Sequence, residues 1–327
     1  MNFWSNNPAA PTWMDTWNHD PLPSYLRLEP AAKPSVAGYE PQQATVRDTE
    51  DIVAFWNTYY RGEDWKMNVR EAHIEPYLED PRVCAFIIRS ANNSLLATIF
   101  SVPCSLTMSH GAELKSSRVI EGLCVHPSVR KMGIAGLMIA YVDWFTSQHG
   151  PVCHIWAREE STDTLMSTAL SCRAYSYTVC SVANQCVLAL ERVSYAAFVD
   201  NVWKPLVSHA PYIKNDPGPM YRNDIEIWAT FVNERKIYVV VTHTRRITKT
   251  GSDIYEIVWI SDTPSSIGLI LDSISTKYNG LLYTTVNKHL LSNKWRKGTS
   301  GYHAYYIYNF KPPLFSYCDV ALLREEL

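Results

Sequence analysis

Apolar residues recur along this chain with two different periods. Residues 44–60 close on an apolar helical stretch around Ile52, Val53, Phe55 and Trp56. Residues 82–89 (RVCAFIIR) and 94–108 read as strands, with Asn92-Asn93 as the turn between them. A further strand covers 118–125. After a loop, apolar residues fall at 134, 137, 138, 141, 144 and 145, the spacing of an amphipathic helix over 134–148. Gly150-Pro151 stops it, and 152–157 is again strand. Beyond residue 190 the pattern begins afresh. Residues 193–207 are helical in pattern; 225–232, 235–244 and 252–260 read as strands; 265–277 is a helix with apolar positions 267, 270, 271 and 274; 281–286 and 302–310 are strands. Each half therefore holds strand, helix, strand: 118–125, 134–148, 152–157, and then 252–260, 265–277, 281–286. The pattern predicts an α/β fold, with helices on an α+β mixed sheet, built from two related units, 41–190 and 191–327.

Residues 1–40 break this regularity. They are rich in Pro and Asn and carry Trp4, Trp13 and Trp17. A long irregular arm with three large aromatics is expected to pack on a surface.

Composition narrows the function classes. The chain has 327 residues, about two domains' worth, and is 46% hydrophobic, which suits a sizeable core and not a disordered chain. Lys+Arg is 30 against Asp+Glu 32, a net charge of -2 that gives no electrostatic footprint for nucleic acid. No apolar run approaches the ~18–20 residues of a membrane span. The opening MNFWSNN has no secretory pattern, and Asn2 follows Met1, so the chain does not read as a myristoylation substrate itself. None of the eight cysteines forms a CxxC pair, and the ten histidines show no HExxH, so no metal site is expected. Cys104 and Cys124 fall in strand-like runs and are expected to pack as small apolar groups. A reduced, cytoplasmic protein is the expectation. The basic segment 235–249 is expected to be a solvated hairpin face.

The sharpest local signal is Val125-His126-Pro127-Ser128-Val129-Arg130-Lys131-Met132-Gly133-Ile134-Ala135, between a strand and a helix. A glycine there lets a ligand approach the backbone, and the helix start offers free N–H groups and a positive dipole. That is an anion site, suited to a pyrophosphate, with Arg130 and Lys131 adding charge. The segment resembles the R-x-x-G-x-A acyl-CoA loop of the GNAT acyltransferases, with Arg130, Gly133 and Ala135 at the defined positions.

Three further segments resemble the N-myristoyltransferase family within that superfamily. Phe3-Trp4-Ser5-Asn6-Asn7-Pro8 is similar to its F-W-x-T-Q-P, Ile120-Glu121-Gly122-Leu123-Cys124-Val125-His126 to its I-N-F-L-C-V-H, and 301–310 (GYHAYYIYNF) to its G-x-x-x-Y-Y-L-Y-N-W. Asn287-Lys288 matches an N-K pair before the last of these. The order and spacing cover nearly the whole chain.

The resemblance implies two tandem GNAT-like units and transfer of myristate from myristoyl-CoA to an N-terminal glycine amine. It places the cofactor on Phe3, Trp4, Leu123, Cys124, Val125, Arg130, Lys131, Met132, Gly133, Ile134 and Ala135. It places the peptide along Ser300, Tyr305, Tyr306 and Tyr308, in the second unit. The backbone of Gly122 and Leu123 would form the oxyanion hole, and a C-terminal carboxylate, here Leu327 with Glu325 or Glu326 as substitute, would take the proton. No metal enters, and a monomer is implied, with acyl-CoA and Gly-initiated peptides or proteins as partners.

The chain departs from the family pattern at three places. Glu121 stands where the family has Asn, Ser300 where it has Asp, and the tail runs about two residues past the expected end. Two other functions stay open: a GNAT-type transfer of another acyl group, and a degenerate relative acting as a binding protein. His126 reads as a loop-bonding residue, and Cys124 is not needed as a nucleophile.

Overall fold

The computed structural model describes residues 24–25, 32–62, 64–107, 113–160, 170–180, 188–204, 212–215, 225–262, 265–284, 290–308, 310–311 and 320–321. In chain order the elements are β1 (Ser24–Tyr25), β2 (Gln42–Gln43), α1 (Thr49–Tyr59), β3 (Trp65–Met67), α2 (Glu71–Glu79), β4 (Cys84–Arg89), β5 (Leu95–Thr107), β6 (Glu113–Val125), α3 (Ile134–Thr146), β7 (Cys153–Glu160) and β8 (Leu170–Cys180). They continue with β9 (Glu191–Val193), α4 (Tyr195–Phe198), β10 (Tyr212–Asn215), β11 (Ile225–Val232), β12 (Arg235–Thr248), β13 (Asp253–Ile260), α5 (Ile267–Ser275), β14 (Gly280–Thr284), β15 (Arg296–Tyr308), β16 (Phe310–Lys311) and β17 (Val320–Ala321). The fold is α/β with a mixed sheet, as the pattern predicts.

Both strand–helix–strand units exist as parallel crossovers. β6 and β7 pair in parallel across α3, and β13 and β14 pair in parallel across α5. Among the described residues most strands join one 15-stranded sheet, whose path runs β17-β10-β5-β6-β7-β15-β8-β14-β13-β12-β11-β9. Strands from before and after residue 190 interleave at its centre. β15 sits between β7 and β8, and β14 lies on the other side of β8.

The helices form where one face is apolar. On α3, Ile134, Leu137, Met138, Tyr141 and Val142 are buried against Phe86, Ile88, Ala97 and Ile99 of the sheet. Full burial of one such side chain stabilises by about 1.5–3 kcal/mol. On α5, Ile267, Ile270, Leu271 and Ile274 pack against Ile257, Leu282 and Trp295 in the same manner. A third core joins the halves: Ile52, Phe55 and Trp56 of α1, Ile74 and Tyr77 of α2, and Phe100 meet Ile225, Ile227, Val240 and Trp259. The first-half sheet is thus covered by α3 on one face and by α1, α2 and the second half on the other.

One expectation is overturned. The 235–249 segment is not a solvated face: β12 pairs with β11, β13 and β3, and Arg245 and Arg246 are buried. The Arg246 guanidinium lies 4.1 Å from the centre of the Trp65 ring, and Arg245 Nη1 donates to the His73 carbonyl at 3.4 Å. Tertiary pairing covers these charges because the strand is central to the second half, and flat guanidinium groups stack where an ammonium would not.

Candidate functional site

β6 carries the site, and its shape comes from one glycine. On β5, Thr98 faces Cys124 and Phe100 faces Glu121, so β6 has one residue more than β5 between those pairs. The extra residue is a β-bulge, and Gly122 in it has φ +58. A Cβ there would stand 2.5 Å from Trp56 Cζ2 and 3.0 Å from Phe100 Cδ2, so a side chain is excluded by both backbone and space. The bulge shifts the alternation. Ile120, Leu123 and Val125 pack on the α3 side, while Cys124 lies in the core between the halves.

The bulge is held from behind. The Trp56 indole N–H donates to Thr98 Oγ1 at 2.8 Å, and that hydroxyl donates to the Gly122 carbonyl at 2.7 Å. In a trans peptide the N–H lies opposite the C=O. The Leu123 N–H therefore points away from Thr98, toward the side of β6 that faces β7. There the strands part: their pairing covers only Ser117↔Cys153, Arg118↔His154 and Val119↔Ile155, although β6 runs on to Val125 and β7 to Glu160. A wedge opens between 120–125 and 156–160, with a backbone donor aimed into it.

At the end of β6 the chain turns sharply into α3. His126 Nδ1 lies 2.7 Å from Ser128 Oγ and accepts from the Ser128 N–H at 3.2 Å, capping the single 3-10 turn of Pro127–Val129. Its ring lies edge-on to Tyr59 at 4.5 Å. His126 is thus a loop-bonding residue. Arg130 Nε donates to the Val125 carbonyl at 3.0 Å, tying the far side of the loop to the strand. Lys131 (φ +67) and Gly133 (φ +80) are both left-handed, and Gly133 is the N-cap of α3. A Cβ on Gly133 would meet no atom of the described residues within 4 Å, so among these the space over the helix start is open. The first N–H groups of α3 have no partner within the helix and suit an anion.

The predicted cofactor residues from Leu123 to Ala135 are therefore contiguous along the wedge and the helix start. Not all present side chains there. Cys124 and Ile134 are buried, so only their backbone faces the site. Met132 is 51% exposed, with its sulfur 3.8 Å from the Tyr39 hydroxyl, and Lys131 is also exposed. Ser300, Tyr305, Tyr306 and Tyr308 lie on β15, where Tyr305, Tyr306 and Tyr308 are register partners of Ala157, Trp156 and His154 of β7, across that strand from the wedge. Phe3, Trp4, Glu326 and Leu327 lie outside the described residues.

Sequence reasoning missed Trp56 and Thr98, the two clamps. A lone glycine inside a strand pattern was the available signal for a bulge, but nothing local identifies partners 24 and 66 positions upstream. The clamp makes a prediction. Thr98→Val would leave the buried Trp56 N–H and Gly122 carbonyl without their shared partner, a loss of about 1–3 kcal/mol readable in urea melts.

Burial pushes the Cys124 thiol up to about 12, with the Arg130 charge opposing weakly. That thiol is protonated at neutral pH and faces the core, so it is no nucleophile. Among the described residues no cluster of His, Cys, Asp or Glu could hold a metal ion, and no helix is long and apolar enough to cross a membrane.

No protein-family model matches the sequence, and no curated protein matches it. Solved structures do. A structure of Saccharomyces cerevisiae N-myristoyltransferase with bound myristoyl-CoA is similar at TM-score 0.65 and 11% identity, over 96% of this chain and 88% of that one. Another, with bound myristoyl-CoA and inhibitors, reaches TM-score 0.67 at 11% identity, over 97% of this chain and 91% of that one. With its paired crossovers and bulged β6, the chain has the fold of the N-myristoyltransferases.

Proposed function

We propose that this protein is an acyltransferase that moves a long acyl chain, myristoyl, from CoA to the amine of an N-terminal glycine. One observation carries the reading: the clamped bulge at Gly122 aims a backbone N–H into a wedge that leads straight to an open helix start. The wedge suits a slender thioester arm, and the helix start suits its pyrophosphate. Unit 41–190 takes the acyl-CoA, unit 191–327 takes the peptide, and the 1–40 arm covers the cofactor. The similar yeast structures hold myristoyl-CoA, which supports the choice of donor. The protein acts as a cytoplasmic monomer.

The chemistry is direct aminolysis. The amine nitrogen attacks the thioester carbonyl carbon, an N–C bond forms, the C–S bond breaks, and CoA leaves as its thiolate. Negative charge gathers on the carbonyl oxygen during attack, where the Leu123 N–H donates. One such donor is worth about 10²–10³ in rate. The clamp fixes that donor before the substrate arrives, so little reorganisation is needed. Lys131, with Arg130 behind it, supplies positive charge to the phosphates. No acyl-enzyme forms on Cys124.

The test is calorimetry with myristoyl-CoA followed by a radiolabelled transfer assay on a Gly-initiated peptide. Binding and transfer together support the reading. Tight binding without transfer to glycine would point to a binding protein, and transfer from a short-chain donor alone would point to another GNAT-type reaction. Deleting residues 1–17 is expected to weaken myristoyl-CoA binding with the melting temperature of the globular part nearly unchanged.

A further inference from the structure

Under the acyl-transfer reading, the attacking α-amine, with an ordinary pKa near ~8, must lose a proton. The fold brings one buried carboxylate to the bulge. Glu121 immediately precedes Gly122 and is 7% exposed. Its register partner on β5 is Phe100, which lies in the core between the halves. Directly opposed residues on paired strands share a face. Glu121 therefore lies on the face away from α3.

That placement separates the two substrates. Ile120, Leu123 and Val125 turn toward α3, the side of the pyrophosphate loop. Glu121 turns toward the side where α1, α2 and the second half converge, the side left for an acceptor. It also stands two residues past Val119, the last β6 residue paired with β7, and two residues before the Leu123 donor. An amine attacking a carbonyl held by that donor comes within a side chain's length of Glu121, directly or through one water. Among the described residues, the titratable and charged side chains bordering the same core include Tyr59 and Tyr60 at the end of α1, Tyr77 of α2, Cys124 of β6, Tyr195 and Tyr238 of the second half, and the buried Arg245 and Arg246 of β12, which meet α2 at His73 and the Trp65 ring. His126 touches it through Tyr59 and Phe55, with its Nδ1 engaged by Ser128.

We propose that Glu121 is the general base of the transfer, in place of the tail carboxylates of Glu326 and Leu327. It takes one proton from the glycine ammonium; the nitrogen lone pair so released forms the amide as the C–S bond breaks and CoA leaves as thiolate. The carboxylic acid then returns its proton to that thiolate or to water.

The experiment compares the intact protein with Glu121→Gln, Glu121→Asp and a truncation lacking residues 324–327. Single-turnover transfer from myristoyl-CoA to a Gly-initiated peptide is followed across pH, with myristoyl-CoA affinity and melting temperature measured alongside. Glu121→Gln is expected to keep cofactor affinity and lose about 10²-fold in rate at neutral pH. Its deficit should shrink as pH passes ~8, because the free amine then arrives already deprotonated. A merely structural role would give a deficit that does not change with pH. Glu121→Asp, which keeps the carboxylate, should recover part of the rate even where the Gln variant folds poorly, and the truncation should transfer at the intact rate. Equal rates for intact protein and Glu121→Gln, a pH-independent deficit, or a pH-dependent loss in the truncation would each overturn the assignment of Glu121 alone. Absence of any transfer by the intact protein would overturn the acyl-transfer reading and this assignment with it.

Discussion

Replacing Gly133 with glutamate is expected to lower myristoyl-CoA affinity by about 100-fold or more while the fold survives. The two effects separate for a physical reason. Among the described residues nothing lies within 4 Å of a Cβ at this position, so the new side chain meets none of them. The left-handed backbone, φ +80, costs a non-glycine residue about 1–2 kcal/mol. A carboxylate at a helix N-terminus returns part of that through the macrodipole, about 0.3–1 kcal/mol. For an anionic ligand the same change is harmful twice. The side chain occupies the approach to the α3 N–H groups, and two like charges ~4 Å apart near a surface repel by about 4 kcal/mol. Gly133→Ala is the control, with the same strain and no charge. Calorimetry on the three proteins decides. Equal affinity for the glutamate variant would remove this loop from the binding site.

Gly122→Ala is expected to act on stability instead, by about 2–5 kcal/mol. Two costs combine. The residue must hold φ +58. Its new methyl would stand 2.5 and 2.9 Å from two Trp56 ring atoms and 3.0 Å from Phe100, inside contact distance. Overpacking of this kind costs about 1–3 kcal/mol, and a left-handed non-glycine residue about 1–2 kcal/mol. Trp56 cannot swing aside without breaking its bond to Thr98, which also holds the Gly122 carbonyl. The midpoint of thermal unfolding should fall by about 5–15 °C, at a few degrees per kcal/mol for a chain of this size. A double-mutant cycle with Trp56→Phe tests the cause: the smaller ring leaves room, so the alanine should cost less in that background. Full additivity would mean that the clash is not the source of the loss.

Most of the fold can be read from the sequence where burial is one-sided. α3 announces itself because Ile134, Leu137, Met138 and Val142 repeat at helical spacing. β4, β5 and β13 do so because their apolar runs end in turn residues. Two elements and one pair of charges hide. α2 contains Pro76, which reads as a breaker, yet Ile74 and Tyr77 are buried in the shared core, and packing outweighs the lost hydrogen bond. β8 is written LSCRAYSYTVC, where the apolar alternation Leu170, Cys172, Ala174 slips by one position to Tyr175, Tyr177, Val179, and it forms between two strands from the far half of the chain. Arg245 and Arg246 look like solvent-facing charge and are buried by partners 172 to 181 positions away. The loop of the candidate site was legible because its chemistry is local: a turn, a glycine and a helix start. The wedge was not, since the parting of β6 from β7 is a property of two strands and not of either one.

The interleaved centre of the sheet bears on how the chain comes to be made. β15 begins at Arg296 and ends at Tyr308, far along the chain from β8, which ends at Cys180, yet it fills the gap between β7 and β8. Until those residues leave the ribosome, β7 and β8 each present an unsatisfied edge, and unpaired edges recruit other chains. Synthesis is N-terminal first, so the emerging first half waits for its missing strand until β15 has been made. Pairings of such sequence separation also close slowly. Chains cut before Arg296 should aggregate whichever half they retain, and a ribosomal stall between β8 and β15 should be as damaging as one within the first unit.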